Sequence, residues 1–122
     1  MKKKVLVVED DTLLRDMLRT GLSEADFAVL EAKDGREGLA VAEAEHPSLI
    51  LLDLLMPEMD GHEVAERLRK TSWGKEIPII VLSNVDDPKH IAKAVENGIF
   101  QYFVKSNTPI DRIVAKVKEF TA

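Results

Sequence analysis

Five polar residues follow directly on short apolar runs: Glu9 and Asp10 after the run 5–8, Asp53 after 49–52, Ser83 after 77–82 and Lys105 after 102–104. Carboxylates gathered at one place repel one another and raise each other's pKa unless a cation is present. An all-oxygen donor set without histidine or cysteine favours Mg²⁺, with Mn²⁺ in its place, over zinc or copper. A divalent cation beside a carboxylate, a hydroxyl and a lysine is what phosphoryl transfer requires. In that chemistry Asp53 is the nucleophile and becomes an acyl phosphate. Lys105 balances the phosphoryl charge, Ser83 donates a hydrogen bond to one of its oxygens, and Glu9 and Asp10 hold the metal. Asp11 is read as a solvated charge or a helix cap.

These residues meet only if the apolar runs are neighbouring strands. Four of the runs are apolar on both faces, as buried parallel strands are, and a fifth, 27–32, alternates less cleanly and is expected near a sheet edge. Helical patterns lie between them. The first carries Leu13, Leu14, Met17, Leu18, Leu22 and Ala25 on one face, with Thr12 as its cap. The second spans about 36–45 with Leu39, Val41 and Ala42 inward, and the third about 61–70 with Val64, Ala65 and Leu68. Asp86-Asp87-Pro88 starts a fourth helix that Asn97-Gly98 stops. Thr108-Pro109 starts a fifth, with Ile110, Ile113, Val114, Val117 and Phe120 inward.

Strand and helix thus alternate five times. Right-handed crossovers then require an α/β fold with a doubly wound, five-stranded parallel sheet and helices on both faces. Ligands of such sheets bind beyond the carboxyl ends of the strands, where strand order reverses, and that is where all five polar residues stand.

Composition narrows the function further. The 122 residues suit one domain spanning 1–122, and no repeat or linker suggests a second module. Hydrophobic residues make up 45% and charged residues 32%, a balance that excludes a disordered chain. A formal net charge of −5 disfavours direct binding to nucleic acid or anionic lipid, and Lys2-Lys3-Lys4 is read as a solvated lead into the first strand. With no cysteine, and apolar runs too short to span a bilayer, a cytoplasmic location is expected. His46, His62 and His90 show no metal-site spacing and are read as surface residues, and Trp73 as packing over the core edge.

Four motifs in order, Val7-Val8-Glu9-Asp10-Asp11, Leu51-Leu52-Asp53-Leu54-Leu55-Met56-Pro57 with Asp60-Gly61, Val81-Leu82-Ser83 and Tyr102-Phe103-Val104-Lys105, resemble the receiver domains of bacterial response regulators over essentially the whole chain. The resemblance implies a flavodoxin-like sheet of order 2-1-3-4-5. It implies that Asp53 takes a phosphoryl group from a histidine kinase or a histidine phosphotransfer protein, with the backbone carbonyl of Leu55 as a further Mg²⁺ ligand. Ser83 then matches the switch hydroxyl and Tyr102 the aromatic switch, whose inward packing changes the partners of the surface formed by the fourth helix, fifth strand and fifth helix.

The chain departs from the family pattern at Ser106, where proline usually follows the lysine, and at Glu9, where aspartate is also common. Leu55 and Val85 are apolar at positions that orient or exclude attacking water, so spontaneous dephosphorylation is expected to be slow. Two other readings exist. A phosphatase resembling the haloacid dehalogenase group would carry a second aspartate two residues after the nucleophile, where this chain has Leu55. A non-phosphorylatable flavodoxin-like binding domain would need no metal, and the loops here lack the glycine-rich cradle of a nucleotide binder.

Overall fold

A computed structural model describes residues 2–56, 59–84 and 88–122. Pro57, Val85 and the Asp86-Asp87 helix signal lie outside the described residues. The aliphatic runs form β1 (Lys4–Val8), β2 (Ala28–Ala32), β3 (Leu49–Asp53), β4 (Ile79–Ser83) and β5 (Gln101–Val104). Between and after them come α1 (Thr12–Glu24), α2 (Gly35–Glu45), α3 (Gly61–Arg69), α4 (Pro88–Glu96) and α5 (Ile110–Thr121). All pairings are parallel and the strand order is β2-β1-β3-β4-β5, the doubly wound order expected.

Side chains alternate across the sheet and so feed two cores. One joins Leu6, Val8, Ile50, Leu52, Ile79 and Val81 to α2 and α3, and the other joins Val5, Val7, Leu49, Leu51, Ile80 and Leu82 to α1 and α5. Residues of the central strands β3 and β4 are buried throughout, whereas most residues of the edge strands β2 and β5 are only half-buried. The weak alternation of 28–32 is therefore the mark of an edge. Strand β4 begins at Ile79, two residues later than the apolar run suggests, because Ile77-Pro78 precedes the ladder.

Two expectations about α1 fail. Asp11, not Thr12, caps it, its carboxylate accepting the Leu14 amide at 3.2 Å. Leu13 and Met17 face solvent, since α1 meets the sheet through Leu18 and Leu22 and only these two are fully buried. Helices α2 and α3 are capped in the same way by Asp34 and Asp60. Gly98, with φ +72°, ends α4 in a left-handed turn that a side chain would strain.

Candidate functional site

The loops after β1, β3 and β5 open on the same edge because all strands of the sheet run in one direction, with β1 and β3 side by side, the order reversing between them, and β4 separating β3 from β5. Asp53 is the last residue of β3 and is 4% exposed, while Glu9 follows β1 and is 1% exposed. Lys105 enters from the end of β5, its Nζ 2.7 Å from Glu9 Oε1 and 3.1 Å from Asp53 Oδ2. Asp53 Oδ1 accepts the Leu55 amide at 3.3 Å, and Glu9 Oε2 accepts the Asp11 amide at 3.0 Å. Gly61 packs beneath this loop so closely that a Cβ there would stand 2.3 Å from the Asp53 carbonyl oxygen. The Asp60-Gly61 pair thus starts α3 and lets the helix pass under the site.

Asp10 is exposed and completes a group with Glu9 and Asp53 in which one carboxylate oxygen from each lies within 4.8 Å of the others. Burial pushes the Glu9 carboxyl up to about 7, against the lowering effect of the Lys105 hydrogen bond and the Asp11 amide, with the Asp53 charge adding to the rise. Burial likewise raises Asp53, although Lys105 and the Leu55 amide oppose it and Asp10 adds to it. Burial acts to lower Lys105, but the hydrogen bond to Glu9 and the charges of Asp53 and Glu9 outweigh it, and the ammonium stays above its ordinary range. One cation thus faces two buried carboxylates beside a third, and oxygen donors so placed could hold a hard divalent ion.

Ser83 ends β4 and is fully buried, opposite Val104 in the β4–β5 ladder. Tyr102 is half-buried against the α2–α3 core, beside Val81, and the two-residue alternation puts it on the same face as Ser83. At Ser106 the chain forms a short 3₁₀ turn, Lys105–Asn107, with no cis peptide among the described residues. All the expected site residues thus stand at or beside the carboxyl edge, with Tyr102 one layer back.

Not every expectation from the sequence holds. His62 is 3% exposed, not a surface residue, and its Nε2 lies 2.9 Å from His90 Nδ1. His46 stacks on Trp73, which packs against the core edge as expected. Arg15 was not singled out, yet its guanidinium donates to the Glu9 carbonyl at 2.7 Å and pairs with Glu31 at 3.5 Å, fixing the loop that presents the acids. Its position one turn into α1 is the only trace of this role in the sequence.

Fold and site together define a doubly wound α/β protein whose sheet carries a cation-ready acidic centre at its switch point. Residues 5–118 match the response regulator receiver domain, and the chain belongs to that family. Its class is therefore the receiver module of phosphorylation-controlled signalling by response regulators. It is 40% identical over 108 residues to a probable transcriptional regulator ycf27 of Porphyridium aerugineum, covering 88% of this chain and 44% of that protein. It is 36% identical over 118 residues to the alkaline phosphatase synthesis transcriptional regulatory protein PhoP of Bacillus subtilis, covering 97% of this chain and 48% of that one. The chain therefore spans less than half the length of these relatives. Among solved structures, chemotaxis protein CheY4 of Vibrio cholerae superposes with a TM-score of 0.91 at 29% identity, covering 98% of this chain and 99% of that one. The phosphorylated cyanobacterial phytochrome response regulator RcpA does so with 0.86 at 29%, covering 98% and 94%.

Proposed function

We propose that residues 1–122 form one receiver unit in which Asp53 accepts a phosphoryl group from a phosphohistidine. The observation that carries this reading is Lys105 Nζ standing between Glu9 and Asp53, 2.7 and 3.1 Å from their carboxylates, within a three-carboxylate group. An Asp53 oxygen attacks phosphorus, the phosphorus–nitrogen bond breaks, and the imidazole leaves and takes up a proton. Lys105 exchanges its Asp53 contact for a phosphoryl oxygen, and Ser83 donates to another. Glu9, Asp10, Asp53 and the Leu55 carbonyl would hold Mg²⁺, or Mn²⁺, which supplies charge neutralisation at the transferring phosphoryl group. A hard cation also offsets the repulsion that raises Glu9 and Asp53.

Readout runs through Tyr102 to the surface of α4, β5 and α5, which binds a downstream protein and, with a net charge of −5, neither nucleic acid nor a membrane surface. No described helix is long and apolar enough to cross a membrane, and the cytoplasm, where histidine kinases present their phosphohistidine, is the compartment this function needs. Apart from accepting phosphoryl groups from a kinase or a small phosphodonor, the chain loses them slowly, because Leu55, half exposed next to the acceptor loop, offers attacking water no polar partner.

Incubation with acetyl phosphate and Mg²⁺ should add the mass of one phosphoryl group. The addition should disappear in Asp53→Ala and persist for minutes after the donor is removed. Labelling that survives Asp53→Ala would overturn the assignment.

A further inference from the structure

Helix α4 is fastened to α3 by polar bonds at both ends more than by packing. Ala94 is its only fully buried residue. Near its C-terminus Arg69 of α3 donates to the Asn97 and Gly98 carbonyls at 3.0 Å each, and also to Gly74 at 2.8 Å. Near its N-terminus the tie is between two imidazoles, His62 of α3 and His90 of α4, with rings 5.1 Å apart and 17° from parallel. We propose that the His62–His90 hydrogen bond is a pH-sensitive latch on α4, closed at neutral pH and opened by protonation.

The tautomer follows from burial. His62 Nδ1 is buried without a hydrogen-bond partner among the described residues, so the proton belongs on Nε2, since a buried N–H left unmade costs more than a bare lone pair. Nε2–H then donates to His90 Nδ1, which must be unprotonated. A proton added to His90 removes the acceptor, and a proton added to His62 creates an orphaned N–H at Nδ1. The first event breaks the bond, whereas the second leaves the Nε2–H donor in place and is resisted by burial, and histidine changes charge in the range of about pH 5 to 8. Near-parallel rings whose bonded nitrogens are 2.9 Å apart leave no room for a metal between them.

The surrounding charges support a neutral His62. Burial lowers its pKa first, Lys93 of α4 lowers it further, Asp60 at the start of α3 raises it, and His90 lowers it. Of the other charges on α3 beside the cleft, Glu63 pairs with Arg67 at 3.1 Å and Glu66 with Lys70 at 3.3 Å. Lys89 adjoins His90 on α4, and the acidic Glu58, Asp86 and Asp87 lie outside the described residues. A lowered pKa in the closed form means that closure is favoured above the ordinary histidine value and lost as pH falls through and below it.

Only the consequence, that acid alters the face of α4 shown to a downstream protein, rests on the proposed readout surface; the latch itself does not. Its test is amide hydrogen exchange on the intact, unphosphorylated chain, with α5 as internal reference. Protection of α4 relative to α5 should fall about three- to tenfold between about pH 7.5 and 5.5, the effect of one hydrogen bond. His90→Asn places an acceptor that acid does not titrate near Nδ1 and should keep the neutral-pH protection at both values. His90→Ala, at a half-exposed position, should show the low protection at both. Nitrogen-15 spectra at neutral pH should show His62 protonated on Nε2. A protonated Nδ1 on His62, pH-independent protection in the native chain, or full pH dependence in His90→Ala would each overturn the latch.

Discussion

The acidic centre and the α4–β5 edge belong to one sheet, yet they are built in opposite ways. The centre sets Glu9 and Asp53 at the ends of strands that are buried along nearly their whole length, where aliphatic packing leaves the charges no freedom to move into water. The edge has a half-buried strand, a helix with one fully buried residue, and Val95 and Phe100 exposed at 67% and 50%. What holds the edge is directional: the Asn97 and Gly98 carbonyls on Arg69 and one imidazole pair. The lesson is a division of labour. Chemistry needs groups fixed to fractions of an ångström, whereas a readout surface must have a second arrangement only a few kcal/mol away.

That contrast can be broken by measurement. Leu52→Ala, which removes a fully buried side chain beside Asp53, should cost about 3–4 kcal/mol in urea denaturation, whereas Val95→Ala should stay within about 0.5 kcal/mol. Comparable losses at the two positions would contradict the division. Lys105→Ala leaves two buried carboxylates without their cation and should cost about 2–3 kcal/mol near pH 8. The loss should shrink near pH 5.5, where Glu9 is protonated. A pH-independent loss would mean that the lysine acts by packing alone.

Arg69→Ala should lower stability by about 1–2 kcal/mol and loosen α4 first in hydrogen exchange, while Arg67→Ala, a surface pair on the same helix, should cost under about 0.5 kcal/mol. The smallest effect sharpens the electrostatics of the centre. Glu9, raised from 4.5 to about 7, contributes stability that is fully present below pH 4.5 and is lost as pH rises through about 7. Mg²⁺ held as proposed would bind the ionised form and should therefore raise Tm by a few degrees more at about pH 8 than at about pH 5.5, in calorimetry at fixed ionic strength. An equal or larger shift in acid would argue against carboxylate ligation.

Much of this organisation was legible in the sequence because it depends on local pattern. Strand–helix alternation, the polar residue closing each apolar run and the Asn97-Gly98 stop all act within a few residues of themselves. The spacing of the four motifs named Glu9, Asp10, Asp53, Ser83 and Lys105 as a set, since parallel strands with short connections put their carboxyl ends together. The readings that failed were questions of which face meets what. Leu13 and Met17 fit an apolar stripe, but the sheet covers only the part of α1 that Leu18 and Leu22 present.

The sequence alone determined the fold class, the strand-end acids and lysine, and the family they mark, because strand period, turn chemistry and charge are properties of short segments. Only the tertiary structure decided that Lys105 bridges Glu9 and Asp53, that Arg15 holds the Glu9 carbonyl, and that His62 is buried against His90 28 positions away. Except for the Arg15 bond, which spans only six positions, each is a contact between elements far apart in the chain. Its existence depends on how two helices or loops sit on a common sheet, and no local pattern carries that information.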